Sequence, residues 1–290
     1  MLSSKTILAA FYKAGINTVD HDGVEHAGYL AFVGLLALFP FLVFVVALAG
    51  FLAGGQAGAE FVRLVLAQLP PDMVTSLAPR ITEITSRPPQ GLLTVSILGA
   101  IWTSSSALEG YRTVLNRAYH VGTPPSYIWR RLLSIAQILI LSFVVVMAMI
   151  VLVVLPIAQG KVVPAAGKAG VHLASGVIVC ISITVVFLAI SFAYYFLPNL
   201  KQSIHAVVWG AALVTLLWIA AARVLSFYLS SINPASLIYG SLGSVIGTLL
   251  FFYVGNVIFI YGAEFNYLLK LAHGEKIEQK EAVLDMAEGI

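Results

Sequence analysis

The stretch that most constrains the fold is the run from Tyr239 to Ile260, which contains no charged side chain. A helix of about 20 apolar residues, rising about 1.5 Å per residue, matches the roughly 30 Å hydrocarbon core of a bilayer. The whole chain has the same character, being 60% hydrophobic and 10% charged, whereas soluble domains carry about 25% charged residues. This composition excludes a single soluble domain and indicates an integral membrane protein that has the lipid bilayer as its main partner.

Five further apolar stretches precede this one, so the predicted fold is an all-α bundle of six transmembrane helices with short amphipathic surface helices. The predicted spans cover about 27–53, 91–108, 132–156, 170–197, 204–229 and 240–262. They form a transmembrane domain at 24–270, between an amphipathic segment at 1–23 and a tail at 271–290. Helix is expected to continue past the second span to Ala118, and Pro40 should kink the first span.

Two connecting regions carry amphipathic patterns. Apolar residues recur every three or four positions over 5–19, which is typical of a helix lying in the plane of the membrane surface. The long connection at 54–90 is broken by glycines and prolines, and its apolar positions predict one or two short surface helices.

The distribution of basic residues predicts the orientation, because cytoplasmic segments of membrane proteins are enriched in lysine and arginine. The two termini and the second and fourth loops together hold ten such residues, and the first, third and fifth loops hold five. Both termini are therefore expected in the cytoplasm. No signal peptide is expected, because residues 1–19 lack a continuous apolar region.

Glycines in the sixth span predict where another helix approaches closely. Gly243, Gly247 and Gly255 are spaced by multiples of four, so they lie on one side of a helix. Small residues at such spacing allow close packing of transmembrane helices. The sixth span is therefore expected near the centre of the bundle.

Polar residues accumulate at the predicted cytoplasmic end of the spans, where they suggest a polar vestibule. The candidates are Asp22, His26, Glu109, Arg112, Asn116, Glu264 and Asn266. Polar groups near a membrane are costly unless they are paired or face water. The structural alternative is a set of helix caps and ion pairs, such as Glu109 with Arg112 at i,i+3.

Arg223 is the candidate intramembrane charge, since it interrupts the fifth span about 10 Å from its outer end by helical rise. Its guanidinium could extend to the interface, pair with an acid of the first loop or with helix carbonyls, or line an anion path. The hydroxyl run Thr103–Ser106 in the second span has a similar ambiguity. Such hydroxyls usually bond helix carbonyls, and lining a solute path is the alternative.

Enzymatic and metal chemistry have little support in the sequence. A metal site can be drawn from His21, Asp22, Glu25 and His26, but no second ligand set accompanies it, so no metal or other cofactor is predicted. The single cysteine excludes an internal disulfide. The six histidines are scattered and the cytoplasmic arginines form no long patch, so neither an enzyme nor a nucleic-acid partner is expected.

Several short motifs, taken in order, resemble the YihY/BrkB family of bacterial inner-membrane proteins. They are Asp22, Gly23 and His26; the Trp-Thr-Ser-Ser-Ser run at 102–106; Leu115, Asn116, Arg117 and Ala118; Leu197, Pro198 and Asn199; the run at 239–243; and Gly262, Ala263, Glu264 and Asn266. The resemblance covers roughly 15–270. Departures from the family pattern occur at Tyr29, Phe32, Val33 and Glu109.

The resemblance implies six transmembrane helices and location in the plasma membrane. Some members of the family are linked to serum resistance and virulence, and the family has carried a disputed ribonuclease label. The expected function is transport of an unidentified solute. The alternative is a non-transporting membrane scaffold or envelope-integrity factor.

Overall fold

A computed structural model describes residues 4–53, 90–121, 126–202, 204–231 and 242–274. Every regular element of more than one residue in these ranges is an α-helix, in agreement with the all-α prediction. The helices are α1 (Ser4–Asp20), α2 (Gly23–Ala53), α3 (Gln90–Ala118), α4 (Tyr127–Phe196), α5 (Ile204–Ser231) and α6 (Leu242–Ala272). The surface helices predicted at 54–90 fall almost wholly outside the described residues, as does the tail from 275 onward.

Three stretches of the described helices are long and apolar enough to cross a membrane. They are Tyr127–Val144, Val207–Phe227 and Val245–Ala272, within α4, α5 and α6. Two shorter apolar helical stretches, Gly23–Leu38 and Ser182–Phe196, overlap the predicted first and fourth spans. The predicted helix end at Ala118 is confirmed by α3, and Pro40 lies inside α2 as expected.

Helix α4 differs from the sequence prediction between the third and fourth spans. The connection expected at 157–169 is helical, which is compatible with its several alanines and two lysines, since both residue types favour helix. The helix has 70 residues and therefore rises about 105 Å, more than three times the thickness of a hydrocarbon core. A single crossing does not account for that length, and the division into two spans stays a prediction.

The chain separates into two compact units. The first contains 1–35, 109–130 and 186–290, and the second contains 36–108 and 131–185. In the second unit, Val45 of α2 packs against Val146 of α4. Elsewhere in the second unit, the Arg131 guanidinium lies 3.8 Å from the centre of the Trp102 ring. It donates hydrogen bonds to Ser106 Oγ and to the Trp102 carbonyl. Ala37, Phe44, Ala100, Ala107 and Ile138 are further buried apolar residues of this unit.

Helix α1 packs on the final turns of α6 through its small residues. Ala10 and Ala14 are buried against Phe265, Leu268 and Leu269. The larger apolar side chains of α1 remain exposed, including Ile7, Leu8, Phe11, Tyr12, Ile16 and Val19. One side of α1 is thus fixed to the protein, and the other offers the apolar side chains expected of a helix at a membrane surface.

Close packing of α5 on α6 depends on glycines. A Cβ on Gly255 would lie 2.6 Å from Trp218 Nε1, and one on Gly262 would lie 2.1 Å from Val214 Cγ2. Both distances are too short for a real side chain, so glycine is required where these helices meet. Gly247 is buried, and the surroundings of Gly243 lie outside the described side chains.

Candidate functional site

The first candidate site is built around Glu264, which lies on α6 and is only 1% exposed. Its Oε2 accepts a hydrogen bond of 3.2 Å from Asn17 Nδ2. Its Oε1 lies 2.8 Å from His21 Nδ1. Asn17 is near the end of α1 and His21 is in the turn that follows, so this carboxylate joins the start of the chain to its last described helix.

His120 completes this group from the turn after α3. Its ring meets the edge of the His21 ring, with centroids 4.8 Å apart, and lies 4.5 Å from the Tyr267 ring. One potential ligand atom from each of His21, His120 and Glu264 falls within 4.8 Å of the other two. Burial lowers the pKa of His120, while the nearby Glu264 acts in the opposite direction. We call these three residues the His–His–Glu cluster.

Backbone conformation positions the cluster. Asp22 and His120 have φ angles of 56° and 54°, and they are the non-glycine residues with positive φ among those described. Asp and His adopt this left-handed region more readily than most residues. A Cβ on Gly23 would lie 2.5 Å from the Thr18 carbonyl oxygen, so the turn between α1 and α2 is too tight for another residue. Both histidines of the cluster thus lie at sharp turns.

A narrow cleft opens beside Glu264, between α1, α2, α3 and α6. Its lining includes His21, His26, Arg117 and Glu264. The space is large enough for about one water molecule. Arg117 pairs with the Asp22 carboxylate, and its other terminal nitrogen lies 3.4 Å from His26 Nε2. The structure therefore brings three predicted vestibule residues, Asp22, His26 and Glu264, around this cleft.

The other predicted vestibule residues lie in separate groups. Glu109 Oε2 lies 3.2 Å from Arg112 Nη1, and Glu109 Oε1 lies 3.2 Å from Arg130 Nη1. The first of these contacts is the predicted i,i+3 ion pair. The Asn116 side chain accepts a hydrogen bond from the backbone N–H of Asn199. Asn266 is buried and accepts a 2.8 Å hydrogen bond from the Gly210 N–H. These contacts hold helices and turns together.

The structure describes the surroundings of Arg223 only in part and those of the hydroxyl run Thr103–Ser106 more fully. Arg223 is exposed, and the first-loop acids that could pair with it lie outside the described residues. Thr103, Ser105 and Ser106 donate hydrogen bonds to carbonyls of their own helix. Ser104 is buried, and its hydroxyl has no hydrogen-bond partner among the described residues.

The second candidate site is an apolar cavity of about 210 Å³ in the first unit, between α3, α4, α5 and α6. Aromatic side chains dominate its lining: Tyr111, Trp218, Phe251, Phe252 and Phe259. Asn256 is 5% exposed and lines the cavity together with Tyr111. Asn256 Nδ2 and Trp218 Nε1 find no acceptor in the described part of the chain. The cavity therefore combines an aromatic wall with two unpaired N–H donors.

Sequence reasoning missed several members of both sites. Asn17 and His120 lie far from Glu264 in the sequence, and His120 looks like an ordinary residue after a helix. Asn256 lies inside an uncharged span and was not predicted as a site residue. A single amide among apolar membrane residues is nevertheless a signal of a functional site. Trp218 carries no polar pattern that would have distinguished it from a packing residue.

Comparisons with known proteins agree with this picture of a membrane protein. The family model described as virulence factor BrkB matches residues 17–285. The protein named ribonuclease-like YfkH, from Bacillus subtilis, is 32% identical over 256 residues, covering 86% of this chain and 90% of that protein. No solved structure matches.

Two relatives have names that state membrane location. A UPF0761 membrane protein of Acinetobacter baylyi is 23% identical over 90% of this chain and 62% of its own length. Another, from Prosthecochloris aestuarii, is 38% identical over 33% of this chain and 22% of its own length. The chain thus spans less than two thirds of these two relatives. The family match over most of the sequence and the apolar helices place the chain in a bacterial membrane, and the chain belongs to the BrkB family.

Proposed function

We propose that this chain is a multi-pass inner-membrane protein that moves a small solute through the first unit. The observation that carries the proposal is the aromatic cavity between α3, α4, α5 and α6. A binding site for a small molecule typically has apolar walls and a few directed polar groups. The N–H groups of Asn256 and Trp218 match that description, because a buried donor without a partner is costly unless a ligand satisfies it.

The cavity also indicates what kind of solute to expect. Its donors would be satisfied by carbonyl, ether or hydroxyl oxygens, and its aromatic wall favours an apolar or ring-shaped body. No charged side chain is among the residues that line the cavity. The proposed solute is therefore a neutral molecule with at least one hydrogen-bond acceptor.

Flux measurements with a matched pair of variants test the proposal. Proteoliposomes are incubated with a bacterial small-molecule extract, and accumulated compounds are identified by mass spectrometry against protein-free liposomes. We expect a solute that wild type accumulates, that Asn256→Leu fails to accumulate, and that the exposed control Phe227→Ala accumulates normally. Loss of flux with retained folding would locate the path at the cavity.

The alternative is a scaffold or envelope-integrity factor that moves nothing. The paired state of Glu109, Arg112, Asn116 and Asn266 favours it, because these contacts fix helices to one another. If wild-type proteoliposomes accumulate nothing above protein-free liposomes, the scaffold replaces the transporter as the proposal.

The name of the Bacillus relative suggests a third functional hypothesis, an RNA-cleaving enzyme. We expect no RNA cleavage by the purified full chain. Cleavage that disappears in the Glu264→Gln variant would contradict this expectation and would assign an enzymatic role to the His–His–Glu cluster.

A further inference from the structure

The buried carboxylate of Glu264 requires an explanation that packing does not supply. A buried negative charge is strongly unfavourable unless a cation or several hydrogen bonds compensate it. Its hydrogen-bond partners are an amide, Asn17, and an imidazole, His21. The guanidinium in the same cleft, Arg117, is paired with Asp22. A positive charge at this position would therefore stabilise the fold.

We propose that His21, His120 and Glu264 form a binding site for a divalent transition-metal ion of the Zn²⁺ type. Two imidazoles and one carboxylate are a ligand set found in zinc sites that keep one position open for water. The set also discriminates by chemistry, because imidazole favours Zn²⁺ and its neighbours, whereas Mg²⁺ and Ca²⁺ prefer oxygen ligands alone.

The geometry is close to that of a bound ion. Ligand atoms about 2.1 Å from a tetrahedral zinc ion lie about 3.4 Å from one another. The three ligand atoms in this structure are within 4.8 Å of one another, and one pair, His21 Nδ1 and Glu264 Oε1, is already at 2.8 Å. Ion binding would bring the longer separations towards about 3.4 Å, and His120, in a turn, is the exposed member of the cluster.

The surroundings supply what such a site needs beyond its ligands. Asn17 donates to the carboxylate oxygen that does not face His21, which fixes the orientation of the Glu264 carboxylate. Partners of this kind hold ligands in place and contribute to metal affinity. The cleft lined by His21 and Glu264 has room for about one water molecule, and zinc sites with three protein ligands take water as the fourth.

A bound ion would tie together three separate parts of the first unit. His21 lies between α1 and α2, His120 follows α3, and Glu264 lies on α6. Because the unfolded chain holds these residues far apart, an ion that binds only the folded state would stabilise it. The competing explanation is that the His21–Glu264 hydrogen bond stands by itself and needs no metal.

Metal titration of the wild-type chain separates the two explanations. The full chain is purified in detergent without a histidine tag, stripped with chelator, and titrated with Zn²⁺, Co²⁺ or Mg²⁺. We expect uptake of about one Zn²⁺ per chain, a higher melting temperature, and visible Co²⁺ absorption typical of tetrahedral nitrogen and oxygen ligands. Mg²⁺ should leave the melting temperature unchanged.

Variants assign the ion to these residues. We expect His120→Gln and His21→Gln to weaken Zn²⁺ binding by at least about 100-fold, since outer partners alone contribute 10–100-fold. His273→Gln, which changes an exposed histidine bonded to its own helix, should bind as wild type does. Wild-type protein that takes up no Zn²⁺, or cluster variants that bind normally, would overturn the proposal. If a variant fails to fold, the wild-type Co²⁺ spectrum still decides the question. The result is independent of solute flux.

Discussion

At the scale of single residues, glycine is decisive where α5 and α6 meet. A Cβ on Gly262 would come within 2.1 Å of Val214 Cγ2 and 2.5 Å of Tyr194 Oη. Gly210 of α5 has a comparable constraint, since a Cβ there would lie 2.4 Å from the Asn266 amide. These are buried neighbours, so the added atom cannot be accommodated by moving the end of an exposed side chain.

Substitution of Gly262 should therefore destabilise the chain. We expect Gly262→Ala to lower the free energy of unfolding by about 1–3 kcal/mol, because the added methyl group overpacks the interface. Gly99→Ala is the matched control, because nothing lies within 4 Å of a Cβ at that helical position and alanine favours helix by up to about 1 kcal/mol. Thermal unfolding in detergent measures both. Equal melting temperatures for the two variants would contradict the close contact.

At the scale of helices, two kinds of ion pair connect the elements of the first unit. Arg117 of α3 pairs with Asp22 before α2, and both side chains are at least half exposed. Glu109 of α3 contacts Arg112 and Arg130, and the Arg112 side chain is 3% exposed. Arg112 also donates a hydrogen bond to the Arg130 carbonyl, which ties α3 to the start of α4.

The buried group of Glu109, Arg112 and Arg130 should contribute more to the free energy of unfolding than the exposed Asp22–Arg117 pair. We expect Glu109→Gln to cost roughly 3 kcal/mol, because the change removes the carboxylate that compensates a buried guanidinium. Arg117→Gln should cost less than about 1 kcal/mol, and added salt should reduce that difference further. Melting temperatures of the two variants at low and high salt test the order, and a larger loss for Arg117→Gln would contradict it.

At the scale of the whole molecule, the sequence predicts six membrane crossings with both termini in the cytoplasm. Six crossings with cytoplasmic termini place Lys161 and Lys168 on the outer side of the membrane. We expect alkaline phosphatase fused at Lys168 to be active, and green fluorescent protein fused after Ile290 to fluoresce. An inactive phosphatase fusion at Lys168 would contradict the division of α4 into two crossings.

The sequence predicted the all-α fold and the extension of α3 to Ala118, because uncharged runs and their polar ends are local patterns, but it wrongly placed a non-helical connection at 157–169. The Glu109–Arg112 pair followed from i,i+3 spacing for the same reason. The His–His–Glu cluster could not be predicted, since its members come from three distant segments and two of them lie in turns with positive φ nearby. The cavity was equally inaccessible, because Asn256 and Trp218 are brought together only by the packing of α5 on α6.

The glycine contact between α5 and α6 also restricts motion. Helices that shear past one another need side chains that can change rotamer at their interface. At Gly262 the α6 backbone lies directly against Val214, and a Cβ there would also be 3.4 Å from the Gly210 carbonyl oxygen, so α6 has no side chain there to rearrange. The two helices should therefore move as one rigid body. Any opening of the proposed solute cavity would then involve its other walls, to which Tyr111 of α3 and Ile190 of α4 contribute.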